Sequence, residues 1–152
     1  MREVNIYLVS GIPSMQRKSG YVAYCLEYYS PRSKYPVTLT NVEEVEEMTG
    51  RHAELVVLLK ALKRLNEKCI LSIYTESEYL DMGIGERRLV DKWQENDWKD
   101  GKMLPIKNAD EWRAILERLN GSLYRVHLKE PNAYVEMLHE KVKMKGEIKN
   151  VR

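Results

Sequence analysis

Cysteine is scarce in this sequence, and long apolar runs are absent. The two cysteines, Cys25 and Cys69, fall inside strand-like segments, which favours buried free thiols in a reducing compartment over a disulfide. No run approaches the ~18 apolar residues of a membrane span, and the first residues do not follow the pattern of a signal peptide. These absences argue against a membrane protein and predict a cytoplasmic location.

Phenylalanine is missing beside ten tyrosines, and neither sign of charge dominates. The formal net charge is only +2, which selects no class of partner. Apolar residues make up 43% and charged residues 32% of the chain, as in ordinary globular proteins. Because 152 residues suffice for one self-sufficient core, we expect a single domain at residues 1–145, followed by a basic C-terminal tail at 146–152.

Three strand-like segments open the chain. "EVNIYLVSG" alternates apolar and polar residues, and "YVAYCLEYYS" is rich in residues that favour strands. "YPVTLTN" is a third candidate, which Pro31 and Pro36 keep short or at a sheet edge. The acidic stretch "VEEVEEMTG" that follows is predicted as a solvated loop or a short helical turn.

Helical spacing of apolar residues dominates the rest of the chain. "RHAELVVLLKALKRLNEK" is the clearest helix, since leucines recur at helical spacing from Leu55 to Leu65. After the strand "CILSIYT" we predict a short helix, a second long helix "ERRLVDKWQENDWK" and a third helix "NADEWRAILERLN" capped at Asn108. The strand "SLYRVHL" and the helix "NAYVEMLHEKVKM" complete the order β-β-β-α-β-α-α-α-β-α.

The passage "TESEYLDMGI" joins a buried strand to a helix and allows two interpretations. Thr75 and Glu78 have the spacing of a capping box, and Glu76 then lies in the first turn, where the helix dipole favours an acid. Alternatively, Glu76 is a reactive group, because the carboxyl ends of strands are where such proteins hold their active sites. The local sequence leaves both interpretations open.

Three stretches together resemble one family. "TGRHAELVVLLKAL" resembles the segment of type 1 ribonuclease H domains in which T-x-x-x-A-E-L opens the first helix. "LSIYTESEYLDMGI" is similar to that family's strand-to-helix passage, T-D-S-x-Y followed by G-I. "WQENDWKDGK" and "PIKNADEW" resemble its tryptophan-bearing handle helix and the K-N-x-D-x-W start of the next helix. The three occur in the family's order over residues 3 to 140.

The resemblance implies both a fold and a chemistry. The fold is an α/β (α+β) ribonuclease H-like architecture, with a five-stranded mixed sheet flanked by helices. The chemistry is hydrolysis of the RNA strand of an RNA–DNA hybrid by two Mg²⁺ ions about 3.5–4 Å apart, held by four carboxylates because hard cations prefer oxygen ligands. Mg²⁺ or Mn²⁺ is therefore the expected cofactor if the domain is active, and otherwise none is expected.

The four family carboxylates are matched unevenly. The first, which bridges both ions, falls on Val9, or on Ser10 in a register shifted by one, and neither supplies a charged ligand. Glu54 matches the second acid unchanged, and Glu76 replaces the third Asp with a side chain one methylene longer. Glu136 matches the fourth through "EPNAYVEML", although a plain solvated glutamate explains it equally well. Glu54, Glu76 and Glu136 are thus the candidate catalytic and metal-binding residues.

Two histidines lie near the end of the chain, where the family has a flexible loop that supplies a histidine. This loop is shortened here, and His127 falls in the strand and His139 in the helix. Each is interpreted as an ordinary structural or surface residue.

The handle segment carries the candidate nucleic-acid contacts that the resemblance implies. Aromatic stacking and phosphate neutralisation are the expected contributions. However, six basic and five acidic residues alternate from Glu86 to Lys107, which also fits an exposed helix whose tryptophans pack on the domain. The candidate residues, including one before Glu54, are Arg51, Lys92, Trp93, Trp98, Lys99 and Lys102.

Three hypotheses follow from these residues. The first is a diverged ribonuclease H-like domain that binds RNA–DNA hybrid or other nucleic acid, with weak or lost two-metal hydrolysis. The second is an active metal-dependent hybrid endoribonuclease with an altered acidic site. The third is a protein-interaction scaffold that binds no nucleic acid. We rank them in this order, because the missing first acid is the largest departure from the family.

Overall fold

A computed structural model describes the backbone of residues 1–151 and the side chains of residues 1–148. Its element types follow the predicted order. In chain order the elements are β1 (Arg2–Ser10), β2 (Arg17–Tyr28), β3 (Val37–Thr49), α1 (Gly50–Leu62), β4 (Cys69–Thr75), α2 (Glu78–Ile84), α3 (Leu89–Glu95), α4 (Ala109–Leu119), β5 (Leu123–Leu128) and α5 (Val135–Val151).

The strands form one mixed sheet in the order β3-β2-β1-β4-β5. The central strand β1 pairs antiparallel with β2 and parallel with β4, and β5 continues the sheet in parallel with β4. The predicted five-stranded mixed sheet flanked by helices is therefore confirmed. Because side chains alternate along a strand, the sheet has two faces, which are covered by different helices.

The larger apolar core lies between the sheet and helices α1 to α4. Ile6, Leu71 and Ile73 of the sheet meet the leucines of α1, and Trp112 of α4 is fully buried among them. Gly83 of α2 allows this packing, because a Cβ at that position would lie 2.2 Å from the Trp112 ring. A larger residue at Gly83 would therefore displace Trp112 from the core.

Helix α5 covers part of the opposite face, where the sheet carries a buried acid. Glu27 of β2 is only 8% exposed and accepts hydrogen bonds from Asn5 Nδ2 at 2.8 Å, the Tyr7 hydroxyl at 3.0 Å and the Tyr134 hydroxyl at 2.5 Å. Burial alone would raise the pKa of Glu27, but the hydrogen bonds outweigh it and hold the pKa below its ordinary value. The bond to Glu27 also raises the pKa of Tyr134 to about 12.

The acidic stretch 42–50 is predicted as a loop or a helical turn, but residues 42–49 are the second half of strand β3 and Gly50 begins α1. This half of β3 pairs with β2 through Gly20↔Val45 and Val22↔Glu43. β3 is the edge strand that the prolines predicted, but it is longer than expected. Val45 points into the core while the neighbouring glutamates remain at the surface, and charged side chains are a common protection of sheet edges.

The helices are shorter than predicted at several boundaries. α1 ends at Leu62 rather than continuing to residue 68, and the second long helix predicted over residues 86–99 is only the seven-residue α3. The backbone has positive φ at Arg88, Asp97 and Trp98, which ends the helix on both sides. Asn108 occupies the predicted N-cap position of α4, but it has φ 59° and its side chain makes no cap hydrogen bond.

The last helix extends further than the pattern predicts. Asn132 Oδ1 accepts hydrogen bonds from the backbone N–H groups of Tyr134 and Val135 and starts α5. The helix then runs to Val151, across the boundary predicted between the domain and the basic tail. Arg152, the last residue of the predicted tail, lies outside the described residues.

Both cysteines are buried and free, as predicted. Among the residues that the structure describes, no helix has the length and apolar character needed to cross a membrane.

The Glu27 network yields a stability prediction. We expect Glu27→Gln to lower the free energy of unfolding at pH 7 by about 1–3 kcal/mol, because charge-assisted hydrogen bonds from two tyrosines are lost in a buried site. Since the pKa of Glu27 is lowered by folding, its stabilisation is present above the unfolded pKa of about 4.3 and is lost as the pH falls through the folded value.

Urea unfolding from pH 7 to pH 3 measures both effects. Glu46→Gln, the same substitution at an exposed position of β3, is the matched control and should change neither. Equal unfolding free energies for Glu27→Gln and the control at pH 7 would contradict the prediction.

Candidate functional site

The candidate site lies at one edge of the sheet, where the carboxyl ends of β1 and β4 stand side by side. Their parallel pairing extends to Tyr7↔Tyr74, so the residues just beyond it are neighbours. Helix α1 begins at the same edge, since the N–H groups of Gly50 and Arg51 bond to carbonyls of the β1–β2 loop. A small cavity of about 60 Å³ opens here. Its lining residues are Leu8, Val9, Ser10, Glu54, Val57, Thr75, Glu76 and Ser77.

Glu54 stands in the first turns of α1 and faces this cavity. The Ser77 hydroxyl donates a hydrogen bond to Glu54 Oε2. Burial raises the pKa of the Glu54 carboxyl, and the opposing influences of Ser77, Arg51 and Ser14 do not cancel this effect. The carboxylate is thus placed at the site edge but is already engaged by a protein donor.

Ser77 is the residue that caps helix α2. Its side-chain oxygen accepts a hydrogen bond from Leu80 N–H at 2.9 Å, while the Thr75 hydroxyl accepts one from Ser77 N–H at 3.0 Å. The predicted capping box between Thr75 and Glu78 is therefore wrong, because the cap lies two residues later. Ser77, which the sequence analysis did not single out, links the start of α2 to Glu54.

Glu76 projects from the end of β4 and is exposed. Its Oε1 lies 2.6 Å from Nε2 of His139 on α5, and about half of each side chain is accessible to solvent. The sequence interpretation treated His139 as an ordinary surface residue. No local pattern could have identified this contact, because the two residues are 63 positions apart and meet only through the docking of α5.

The position of the missing first acid is apolar in the structure. Val9 is 2% exposed and packs with Leu138 in the small cluster beneath α5. Ser10 follows it, and its hydroxyl accepts a hydrogen bond from Ile12 N–H at 3.2 Å. Neither residue adds negative charge to the edge.

Glu136 lies in the first turn of α5 and is exposed. The structure does not gather it with Glu54 and Glu76: among the described side chains, no three His, Cys, Asp or Glu lie where they could hold a metal ion together. Two divalent cations require several oxygen ligands and compensating negative charge. The donor set at this edge therefore does not fit a two-metal centre.

The handle residues differ in their accessibility. Trp98 is only 7% exposed, and the Arg113 guanidinium stacks 5.1 Å from its ring centroid. Trp93 is half-buried and contacts Trp98 and Trp112 with ring centroids 6.5 and 5.5 Å apart. Trp98 is thus a packing residue, whereas Trp93 keeps part of its ring at the surface.

The lysines of the handle remain at or near the surface. Lys92 and Lys102 are exposed, and Lys99 is half-buried with its ammonium 3.9 Å from the Asp97 carboxylate. The segment therefore presents basic groups, but with acids interspersed as the sequence predicts.

Arg51 belongs to a polar cluster that the sequence analysis described only in part. Its guanidinium lies 5.1 Å from the centroid of the Tyr79 ring. The Tyr79 hydroxyl accepts hydrogen bonds from Trp112 Nε1 at 3.0 Å and Asn108 Nδ2 at 3.2 Å and donates one to the carbonyl of Lys107. The cluster places an exposed cation one turn from Glu54 and joins it to the handle.

Comparison with known proteins supports the resemblance to ribonuclease H that the sequence motifs indicate. The sequence model of the ribonuclease H family matches residues 2–129, a range that contains Val9, Glu54 and Glu76 but ends before α5. Ribonuclease H of Cupriavidus metallidurans is 39% identical over 69 residues, which are 45% of this chain and 46% of that protein. Ribonuclease H of Caldicellulosiruptor saccharolyticus is 36% identical over 74 residues, 49% of this chain and 50% of that protein. The chain spans about half the length of the curated relatives it matches.

Solved structures agree with the fold. A type 1 ribonuclease H with the type 2 active-site motif has a TM-score of 0.73 at 18% identity and covers 95% of this chain and 72% of its own. A foamy viral protease–reverse transcriptase in complex with RNA/DNA hybrid has a TM-score of 0.60 at 15% identity and covers 93% of this chain and 19% of its own. At such identities the likeness concerns the fold alone.

The contact between Ser77 and Glu54 can be tested by removing the hydroxyl. We expect Ser77→Ala to lower stability by about 1 kcal/mol, because α2 loses its N-cap. We also expect the pKa of the Glu54 carboxyl to rise further, since the hydrogen bond from Ser77 favours its charged form. Because the folded-state pKa of Glu54 is raised, the stability linked to its protonated carboxyl is present below the unfolded pKa and is lost as the pH rises through the folded pKa.

Urea unfolding and a carbon-detected NMR titration of the Glu54 carboxyl measure the two effects. Ser77→Thr retains the hydroxyl and should behave as the wild type. A Glu54 titration that is unchanged in Ser77→Ala would show that the hydrogen bond does not influence this carboxyl.

Proposed function

The chain belongs to the ribonuclease H family, and we propose that it is a diverged member that binds RNA–DNA hybrid while its two-metal hydrolysis is weak or lost. The observation that carries this proposal is the set of side chains at the site edge. It retains the family's helix, strand ends and handle, but buried Val9 stands where the resemblance places the bridging acid. The two buried free thiols support a reducing, cytoplasmic location.

The ligands that remain at the edge support a reduced catalytic activity. Glu54 shares its carboxylate with the Ser77 hydroxyl, and Glu76 is paired with His139. Both acids would have to exchange these partners for a cation, and no third acid among the described side chains completes a metal-binding group with them. Because two adjacent divalent ions repel each other strongly unless bridging anions separate them, we assign no metal-dependent step to this arrangement.

The binding of nucleic acid is argued from the groups around the edge. Arg51 is exposed beside Tyr79, and Lys92 and Lys102 extend the basic groups along the handle. Lys and Arg near a duplex gain affinity by displacing condensed counterions, without reading its sequence. Membership of the ribonuclease H family supports the hybrid as the ligand.

The catalytic part of the proposal predicts little or no cleavage by the wild type. We expect a labelled RNA–DNA hybrid to remain intact in Mg²⁺, and separately in Mn²⁺, under conditions in which Val9→Asp cleaves it measurably. The added carboxylate would supply the charge that the site lacks at the end of β1. Gel analysis of the labelled RNA strand measures both rates.

Two controls make this assay decisive. Glu54→Gln reveals contamination, because any cleavage that persists in this variant does not come from the site. Wild-type cleavage that Glu54→Gln abolishes would overturn the proposed loss and establish an active nuclease with altered carboxylates. An inert Val9→Asp that folds normally would contradict the decisive role given to the missing acid.

The binding part predicts salt-sensitive affinity for the hybrid. We expect the logarithm of the association constant to fall linearly with the logarithm of salt concentration, and Arg51→Ala to make this slope shallower by roughly 0.7–0.9, which is the value for one phosphate contact. Fluorescence anisotropy of a labelled hybrid measures the slope. Lys63→Gln, an exposed residue at the far end of α1, is the matched control, and absent or salt-insensitive binding would favour the protein-interaction scaffold.

A further inference from the structure

Helix α5 passes directly beside the site edge. His139 contacts Glu76 just beyond β4, with 2.6 Å between Nε2 and Oε1. One turn later Val142 lies against Gly11 just beyond β1, so closely that a Cβ at Gly11 would be 2.6 Å from Val142 Cγ1. Consecutive turns of α5 therefore follow the ends of the two strands that form the site.

Beyond Val142 the helix is largely exposed. Met144 is 55% and Ile148 56% accessible to solvent, and a Cβ at Gly146 would meet no atom within 4 Å. α5 nevertheless remains helical to Val151. It thus extends away from the edge that holds Glu54 and Glu76, and we call its exposed part, residues 141–148, the arm.

The exposed arm is basic. Residues 141–148 contain three lysines and one acid, Glu147. Lys143 follows His139 by four residues and shares its flank of the helix, whereas Lys141 and Lys145, also four residues apart, share the other flank. All three lysine side chains are exposed, so the arm carries positive charge on both sides.

Further basic residues follow the β1–β2 loop, whose Gly11 lies against Val142 of α5. The β1–β2 loop and the start of β2, residues 11–18, contain Arg17 and Lys18 and no acid, and the loop bonds to the N–H groups of Gly50 and Arg51. Exposed acids are also present on α5 and at the end of β3. These are Glu136, Glu140, Glu46 and Glu47.

The arm and the handle lie on opposite faces of the sheet. α3, the segment after it and α4 pack on the larger core through Val90, Trp98 and Trp112, respectively, whereas α5 packs on the other face through Leu138. The site edge lies between them. A duplex seated at that edge therefore has the handle on one side and the arm on the other.

We propose that Lys141, Lys143 and Lys145 form a second phosphate-binding surface, which contacts the backbone of the bound hybrid on the side away from α3. This inference rests on the proposed function, since it names further contacts for the same ligand. A polyanion is the matching partner because the three lysines supply charge without a fixed hydrogen-bonding pattern. Two flanking basic surfaces would hold the duplex across the edge even where the carboxylates no longer bind metal.

The test replaces all three lysines with glutamine, which preserves helix propensity. We expect the affinity of full-length protein for a labelled RNA–DNA hybrid to fall about tenfold near 0.1 M salt, and the salt slope to become shallower by roughly 2–3, or about 0.7–0.9 per lysine. Replacing the same lysines with arginine should retain both the affinity and the slope, because the charge is kept.

A matched triple variant controls for the loss of net charge. Lys63→Gln, Arg64→Gln and Lys68→Gln remove three exposed basic groups between α1 and β4, at the opposite end of the sheet from the site, and should change the slope much less. Circular dichroism checks that each variant keeps its helix content. If the variant with three glutamines in the arm loses helix content, the single variant Lys143→Gln replaces it, with an expected change in the salt slope of about 0.7–0.9.

The outcomes separate the two proposals. Hybrid binding by the wild type, with equal slopes for the arm triple and the control triple, would overturn the second surface and leave the proposed function intact. A wild type that does not bind hybrid would overturn the proposed function, and this inference with it.

Discussion

The parallel pairing of β1 with β4 at the centre of the sheet is the constraint on which the rest of the structure depends. It places the carboxyl ends of two strands, which are 65 residues apart at Ser10 and Thr75 in the sequence, at one edge. It also sets the alternation that sends Ile6 and Ile73 to the larger core and Tyr7 and Tyr74 to the face beneath α5. Both faces are then covered by helices: α1 and α2 begin at that edge, and α5 passes it at His139 and Val142.

The same constraint explains how the site can change while the fold persists. The edge brings together Val9, Glu54 and Glu76 through the backbone, whatever side chains these positions carry. Here the acids find protein partners, Ser77 and His139, and the first position joins the apolar cluster beneath α5. These contacts stabilise the meeting of α1, α2 and α5, which is a structural role that requires no cation.

Local patterns predicted elements best where one physical signal was strong. The leucine spacing of α1 and the alternating β1 identified those elements, although α1 ends earlier than its apolar spacing suggested. The acidic half of β3 was missed, because an edge strand tolerates glutamates that a buried strand excludes. The N-cap of α2 was predicted at Thr75 but lies at Ser77. Several side chains in this passage can accept a backbone hydrogen bond, and packing selects among them.

The sequence by itself determined the family, the order of the elements and the absence of an acid at the end of β1, because these depend on residue types and their spacing. The mixed sheet was implied by the resemblance to the family. Only the tertiary structure decided what the remaining residues contact. It buried Trp98, joined Glu54 to Ser77 and Glu76 to His139, and placed the lysines of α5 beside the site. These contacts join residues far apart in the chain, and they depend on how α5 and α4 dock on opposite faces of the sheet, which no local pattern encodes.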